Sequence, residues 1–118
     1  MNKKEIRSNF RNVVFKRDKF CCRACGKKYT TEEAIENLDV HHITNRNELP
    51  AGGYVLENGI SLCKQGNPSC HEKAEAWLSE NSKISKIVGF EPEALYAKIS
   101  SSFELAYKKS EELQCRSD

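Results

Sequence analysis

The sequence has no long hydrophobic run, little proline and few aromatic residues. Its 118 residues include three prolines and are 8% aromatic, and the mean hydropathy is −0.69. No apolar segment approaches the roughly 20 residues needed to cross a bilayer, so we expect no membrane partner. A chain of this length predicts one domain with a modest hydrophobic core. A bound structural metal is a physically sensible supplement to such a core.

The chain also shows no apolar signal region, since it begins Met-Asn-Lys-Lys-Glu. Its six cysteines could form three disulfides if the protein were secreted. Cysteines with a Cys-x-x-Cys spacing suit a metal better than a bridge, and no leader supports secretion. We therefore expect a cytoplasmic protein whose cysteines are reduced.

The spacing of the cysteines predicts a tetrahedral zinc site built from two distant segments. We predict that four thiolates bind one structural zinc ion: Cys22, Cys25, Cys63 and Cys70. Six residues separate the last two cysteines, but the turn formers in segment 65–69 can loop out and return Cys70 to the ion. Cys21 and Cys115 have no partner in this pattern and are expected to be free thiols.

Positive charge is concentrated at the front of the chain. Residues 1–28 carry ten Lys or Arg against two acids, whereas residues 29–118 carry nine against fifteen. Such a surplus can neutralise phosphates and make nucleic-acid binding salt-dependent. Taken alone, the same run also fits an ordinary solvated helix face. The candidate nucleic-acid contacts are Arg7, Arg11, Lys16, Arg17, Arg23, Lys27 and Lys28.

Three histidines remain outside the predicted zinc site. A zinc ion with four sulfur ligands has no open position for chemistry, so His41, His42 and His71 are free to build a second, catalytic metal site. Adjacent strand residues point to opposite faces, so His41 and His42 are not expected to bind the same ion. Any one of these histidines, taken singly, fits a structural role better than a ligand role.

The hydrophobic pattern predicts a mixture of helices and short strands. Thr30-x-x-Glu33 resembles a capping box that opens a helix. Pro92 suits the first turn of a last helix, whose apolar stripe would be Leu95, Ile99, Phe103 and Ala106. We predict helices over residues 4–16, 30–37, 72–80 and 92–113, and strands over residues 38–43 and 60–63.

These motifs, in this order, resemble the HNH endonuclease family, in its zinc-containing branch with four cysteines. The resemblance lies in Arg17-Asp18-x-Phe20-x-Cys22-x-x-Cys25-Gly26, Leu38-Asp39-Val40-His41-His42-Ile43, Asn58-Gly59-Ile60-Ser61-Leu62-Cys63 and Cys70-His71. It implies an α+β fold with a small zinc-stabilised ββα-metal core at about residues 13–80. Helices at the amino end and over residues 90–113 would flank this core within a single domain, 1–118.

The resemblance also implies roles for individual residues. His41 and His71 would bind the catalytic divalent ion, which could be Mg²⁺, Mn²⁺ or another transition metal. His42 would act as general base, and Asn58 would orient that base. Asp39 would contact a metal-binding residue without binding the metal itself, and Arg17 would contact a phosphate, although both residues fit plain structural roles equally well.

The function implied is a metal-dependent DNA endonuclease that hydrolyses or nicks phosphodiester bonds and leaves 5′-phosphate and 3′-OH ends. A monomer would nick, whereas a homodimer could cut both strands. Small modules of this kind resemble those of phages, restriction systems and mobile elements, which suggests a bacterial or phage-infected host. Two alternatives stay open: a non-catalytic zinc-stabilised DNA-binding domain, and a zinc-stabilised protein-interaction module.

Overall fold

A computed structural model describes residues 2–117 and has the mixed helix and strand architecture expected of a small zinc-stabilised HNH core. The two strands form one antiparallel hairpin, and helices cover it from both sides. The elements are α1 (Lys3–Arg17), α2 (Thr31–Asn37), β1 (Leu38–His42), β2 (Gly59–Cys63), α3 (Cys70–Glu75), α4 (Pro92–Lys98) and α5 (Phe103–Ser117). Across the described part of the chain, no helix combines the length and the apolar character that a membrane crossing requires.

The hairpin sets the positions of both candidate sites. β1 and β2 pair in a register that places Leu38 opposite Cys63 and His42 opposite Gly59. Three short 3₁₀ turns lie in the connection between the strands, at Arg46–Glu48, Pro50–Gly53 and Leu56–Asn58. All five residues of β2 are buried, because α1 and α3 both pack on this strand. Cys63 therefore lies at one end of the hairpin, and His41 and His42 lie toward the other end.

Gly59 lets α1 approach the hairpin closely. A Cβ atom at this position would lie 2.7 Å from Phe10 Cζ and 2.7 Å from Val14 Cγ2, which is a clash that only glycine avoids. Phe10 and Val14 are both buried, so this apolar side of α1 faces β2, although Val13 is 37% exposed. Because Gly59 pairs with His42, this contact also brings the Phe10 ring to the candidate active site.

Capping boxes start the two short helices of the core. Thr30 and Glu33 form the predicted box at the start of α2, with reciprocal hydrogen bonds of 3.1 and 2.9 Å. Ser69 and Glu72 form a second box, which the sequence analysis missed. That box explains why α3 begins at Cys70 rather than at residue 72. The helix also ends earlier than predicted, at Glu75 rather than at residue 80.

The prediction of one carboxy-terminal helix over residues 92–113 is wrong. The chain forms two helices, α4 and α5, and Ser100 between them has a φ of +54°. The Ser102 hydroxyl accepts a hydrogen bond from the Leu105 amide and so caps the second helix. Leu95 and Ala106 are buried as the stripe predicted, but Phe103 is 44% exposed because the break rotates it out of line.

Candidate active site and metal centres

The four predicted zinc ligands meet at one end of the hairpin. Cys22 and Cys25 lie in a knuckle after α1, where Gly26 takes a φ of +82° and its amide donates to the Cys22 carbonyl at 2.9 Å. Cys63 is the last residue of β2 and Cys70 is the first residue of α3. The turn-rich insert between them thus returns the chain to the cluster.

The geometry of the cluster fits a tetrahedral zinc ion. The four Sγ atoms all lie within 4.8 Å of one another, and the Cys25 and Cys63 sulfurs are 3.8 Å apart. Zn–S bonds of about 2.3 Å place two sulfurs of a tetrahedron about 3.8 Å apart. A disulfide would need about 2.05 Å, and all six cysteines of the chain are free. Cys21 and Cys115 lie outside the cluster.

The protein surrounds these thiols with unequal environments. Burial raises the pKa of the Cys70 thiol, and the neighbouring sulfurs of Cys63 and Cys22 raise it further. Burial also acts against ionisation at Cys22, but backbone N–H groups, including that of Cys25, outweigh it and lower the pKa. Several thiolates packed together repel one another, so the cluster favours a bound cation that neutralises them.

A buried carboxylate joins the knuckle to the hairpin. Asp18 accepts hydrogen bonds from the Ser61 amide at 2.8 Å, from Arg17 Nε at 2.8 Å and from an Arg23 nitrogen at 3.1 Å. Arg17 also donates to the Gly59 carbonyl at 2.6 Å. Both arginines were candidate phosphate contacts, but their donors are directed into the fold, so the geometry favours a structural role for them.

At the other end of the hairpin, three potential ligands converge on one point. His41 Nδ1 lies 3.2 Å and His71 Nε2 lies 2.9 Å from the same carboxylate oxygen of Glu75. His41 is 1% exposed and comes from β1, whereas the other two residues lie one turn apart on α3. Adjacent ligands of an ion with bonds of about 2.1 Å lie roughly 3 Å apart, so these three atoms fit a divalent cation.

The surroundings of this group prepare it to bind a cation. Asp39 Oδ2 lies 2.9 Å from His71 Nδ1. Burial alone would lower the pKa of His71, but the hydrogen bonds with Asp39 and Glu75 raise it to about 9. The bond with His71 lowers the pKa of Asp39, and the bonds with His41 and His71 lower the pKa of Glu75. Asp39 thus contacts the far nitrogen of the His71 ring, while Glu75 faces Nε2, where a cation can replace the proton of His71.

His42 lies on the opposite face of β1 from His41. Its ring packs against Phe10 and Tyr54, with centroid distances of 4.8 and 4.7 Å. Burial is the main cause that lowers the pKa of His42 to about 4, and the charge of Arg46 adds to it. The imidazole is therefore neutral at physiological pH and able to accept a proton. Its Nε2 atom is buried without a hydrogen-bond partner among residues 2–117.

Asn58 is fully buried, and all its side-chain atoms are paired. Its Oδ1 accepts from the Thr44 amide at 2.9 Å and from the Tyr96 hydroxyl at 2.7 Å. Its Nδ2 donates to the carbonyls of Thr44 at 3.1 Å and Gly53 at 3.2 Å. A direct contact with His42 was expected, but none of these hydrogen bonds reaches that histidine. They fix the backbone two residues beyond that histidine.

Residues 22–76 match the HNH endonuclease family. This segment, 55 of the 118 residues, resembles an HNH endonuclease domain. No curated protein and no solved structure matches the chain. The matched segment contains the four cysteines, the three histidines and Asn58, while α1, α4 and α5 lie outside it. The match implies a nuclease that acts on nucleic acids.

Glu75 is a potential metal ligand that was not predicted from the sequence. A signal was present, because Glu75 is four residues after His71 and such residues share one helix face. Because this helix was predicted over residues 72–80, His71 was not placed on the same helix as Glu75, whereas the structure has both residues in α3. Tyr54 and Tyr96 also touch the site residues, and no local pattern marks either of them.

The remaining basic residues divide between two regions of the domain. Arg7, Arg11 and Lys16 are exposed on α1, and the charge of Arg11 contributes to the lowered pKa of Asp39. Lys27 and Lys28 are exposed in the zinc knuckle, where the Lys27 ammonium lies 5.5 Å from the centre of the Tyr29 ring. Of these basic residues, those on α1 lie near Phe10 in the sequence, and the Phe10 ring contacts His42 in the candidate active site.

Proposed function

We propose that this chain is a metal-dependent DNA endonuclease with His42 as general base. The observation that supports the proposal most strongly is the convergence of His41, His71 and Glu75 on one point, with a neutral histidine next to them on β1. A domain that only bound DNA would need neither a second cation site nor a base beside it. The four-cysteine cluster would hold a structural zinc ion apart from the chemistry.

His41, His71 and Glu75 would hold the catalytic divalent ion, which would act as a Lewis acid on the phosphate and its leaving oxygen. Asp39 accepts the Nδ1 proton of His71, which leaves Nε2 of that ring free as the ligand atom. Only three protein ligands leave room in the coordination sphere for a phosphate oxygen and water. The identity of the metal follows from the supply in the cell as much as from these ligands.

His42 would take a proton from the attacking water. The depressed pKa supports this role, because the ring is unprotonated at neutral pH. We assign Nδ1 as the acceptor, since Nε2 is enclosed by the protein. Packing by Phe10 and Tyr54 would keep the ring in one orientation, and Asn58 would act indirectly by fixing the backbone at Thr44. Release of the 3′ oxygen would give 5′-phosphate and 3′-OH ends.

The exposed cations of α1 and of the knuckle would contact the DNA backbone: Arg7, Arg11, Lys16, Lys27 and Lys28. We assign Arg17 and Arg23 to the support of the knuckle instead. One active site per chain would nick a duplex as a monomer, and a homodimer would be needed to cut both strands. The protein would work in the cytoplasm of its host.

The test is the relaxation of supercoiled plasmid by the zinc-loaded protein with added Mg²⁺ or Mn²⁺. The wild-type protein should nick, and His42→Ala should lose about 10²- to 10⁴-fold of the rate while it keeps DNA affinity and metal binding. Metal-free reactions serve as the control. Wild-type protein that binds DNA but never nicks would favour the non-catalytic alternative, and full activity in His42→Ala would refute the base assignment.

A further inference from the structure

A cleft of about 800 Å³ lies between the amino end of α1 and the 3₁₀ turns that follow β1. This size falls within the roughly 300–1,000 Å³ typical of ligand-binding clefts. Neither the metal site nor the zinc cluster uses the residues of this cleft. Its charged and apolar lining comes from Lys3, Ile6, Arg7, Arg46, Ala51 and Tyr54.

The charge of the cleft is of one sign. Lys3, Arg7 and Arg46 line it, and among the residues that the structure describes no carboxylate does. The apolar part of the lining is formed by Ile6 and by the Tyr54 ring. A cavity with three cations and an apolar wall is complementary to a sugar-phosphate group rather than to a metal or a neutral ligand.

Tyr54 organises the two guanidinium groups. Its hydroxyl accepts a hydrogen bond from Arg46 at 2.9 Å. Burial would raise the pKa of Tyr54, but the hydrogen bond with Arg46 and the nearby charge of Arg7 lower it. Arg46 uses one of its five N–H groups in this bond, and the others have no acceptor within residues 2–117. The arginine is thus held in place with its remaining donors available.

Tyr54 links the cleft to the candidate active site. The Tyr54 ring that carries the hydroxyl contacts the His42 ring edge to face, with centroids 4.7 Å apart. The charge of Arg46 acts both on His42 and on Glu75, so this guanidinium lies within electrostatic reach of the base and of the metal ligands. A DNA strand with its scissile phosphate between His42 and the metal site would place a neighbouring phosphate near Arg46.

We propose that this cleft binds a backbone phosphate of DNA next to the scissile bond, with Arg46 and Arg7 as the phosphate ligands and Tyr54 as the residue that positions them. This inference rests on the proposed function, because it places the strand relative to His42. Arginine suits the role since its planar donors match phosphate oxygens in pairs. Ile6 and Ala51 would contact the attached sugar.

The experiment measures the binding of a short fluorescent DNA duplex by anisotropy, over a series of salt concentrations and without added divalent ions. Arg46→Met and Arg7→Met should each weaken affinity about tenfold at low salt and reduce the slope of log K against log salt by about 0.9. Tyr54→Phe keeps the ring against His42 and removes no cation. It should weaken affinity less and leave the slope unchanged. Lys108→Met, an exposed change on α5, is the matched control and should bind like wild type.

Plasmid nicking by the same proteins separates this inference from the proposed function. A wild-type protein that does not nick, with the predicted losses in binding, would remove the nuclease and retain the cleft as a DNA-phosphate site. Normal nicking by wild type, with Arg46→Met binding DNA at the same affinity and salt slope as Lys108→Met, would overturn the cleft alone. Melting temperature and zinc content confirm that each variant is folded.

Discussion

Replacing Tyr96 with Phe removes one hydroxyl from the buried network that holds Asn58. The hydroxyl donates to Asn58 Oδ1 at 2.7 Å, so its oxygen must accept the proton of the Thr44 hydroxyl, 2.6 Å away. Both partners are buried. Asn58 would retain the Thr44 amide as a donor, but the Thr44 hydroxyl would lose its only partner among the described residues.

The loss of stability in Tyr96→Phe can be worked out from the hydrogen bonds that it removes. Two neutral hydrogen bonds contribute about 0.5–1.5 kcal/mol each, and a buried hydroxyl left unsatisfied adds to the loss, so we expect a total near 2–3 kcal/mol. For a chain of this length, 1 kcal/mol lowers the melting temperature by roughly 3–6 °C. Tyr96→Phe should therefore melt about 10 °C below wild type, with its zinc content unchanged.

The assay is thermal unfolding of wild type and four variants, followed by circular dichroism. Thr44→Val removes the other side of the pair, and the double variant with Tyr96→Phe should lose less than the sum of the two single variants, because no hydroxyl is then left unpaired. Tyr107→Phe, at a residue that is 41% exposed, should melt like wild type. A Tyr96→Phe protein that melts within about 2 °C of wild type would refute the network as a source of stability.

Three further variants test the two metal centres. Cys25→Ser should release zinc and unfold much of the domain, since a structural zinc contributes on the order of 10 kcal/mol to stability. Cys21→Ser is the control and should keep both zinc and stability. A stable Cys25→Ser protein would contradict the zinc-binding role of the cluster. His71→Ala should keep zinc and the melting temperature but need roughly 10- to 100-fold more Mg²⁺ or Mn²⁺ for nicking, and an unchanged requirement would remove it from the site. Glu75→Gln should also raise this requirement, with Glu80→Gln as the unaffected control, and equal titration curves for the two variants would exclude Glu75 as a ligand.

Local signals in the sequence carried most of the fold. The capping box at Thr30 fixes the start of α2, and the spacing of apolar residues fixes α1, because both depend on neighbours within one helical turn. The cysteine pattern predicted the cluster for a similar reason. Four soft ligands in two pairs have few other uses inside a reduced protein, so their spacing carried information across forty residues of chain.

The features that the sequence did not reveal depend on contacts between distant segments. The break after Ile99 depends on three consecutive serines, and Ser101 forms its hydrogen bond with the Glu57 carbonyl on the other side of the fold. Arg17 was predicted to contact a phosphate. The local sequence gives no sign that this arginine donates hydrogen bonds to carbonyls some forty positions away. A basic residue at the surface and one that supports a buried carboxylate have the same local sequence pattern.

The first turn of α3 connects the two metal centres mechanically. Cys70 belongs to the cysteine cluster and His71, the next residue, belongs to the histidine group, so a zinc ion that fixed the start of the helix would also restrain His71. Glu75 follows one turn later and is positioned by the same helix axis. A zinc ion held by the four cysteines would therefore support the proposed chemistry without touching it, because the proposed metal ligands on β1 and α3 must be held at a constant separation.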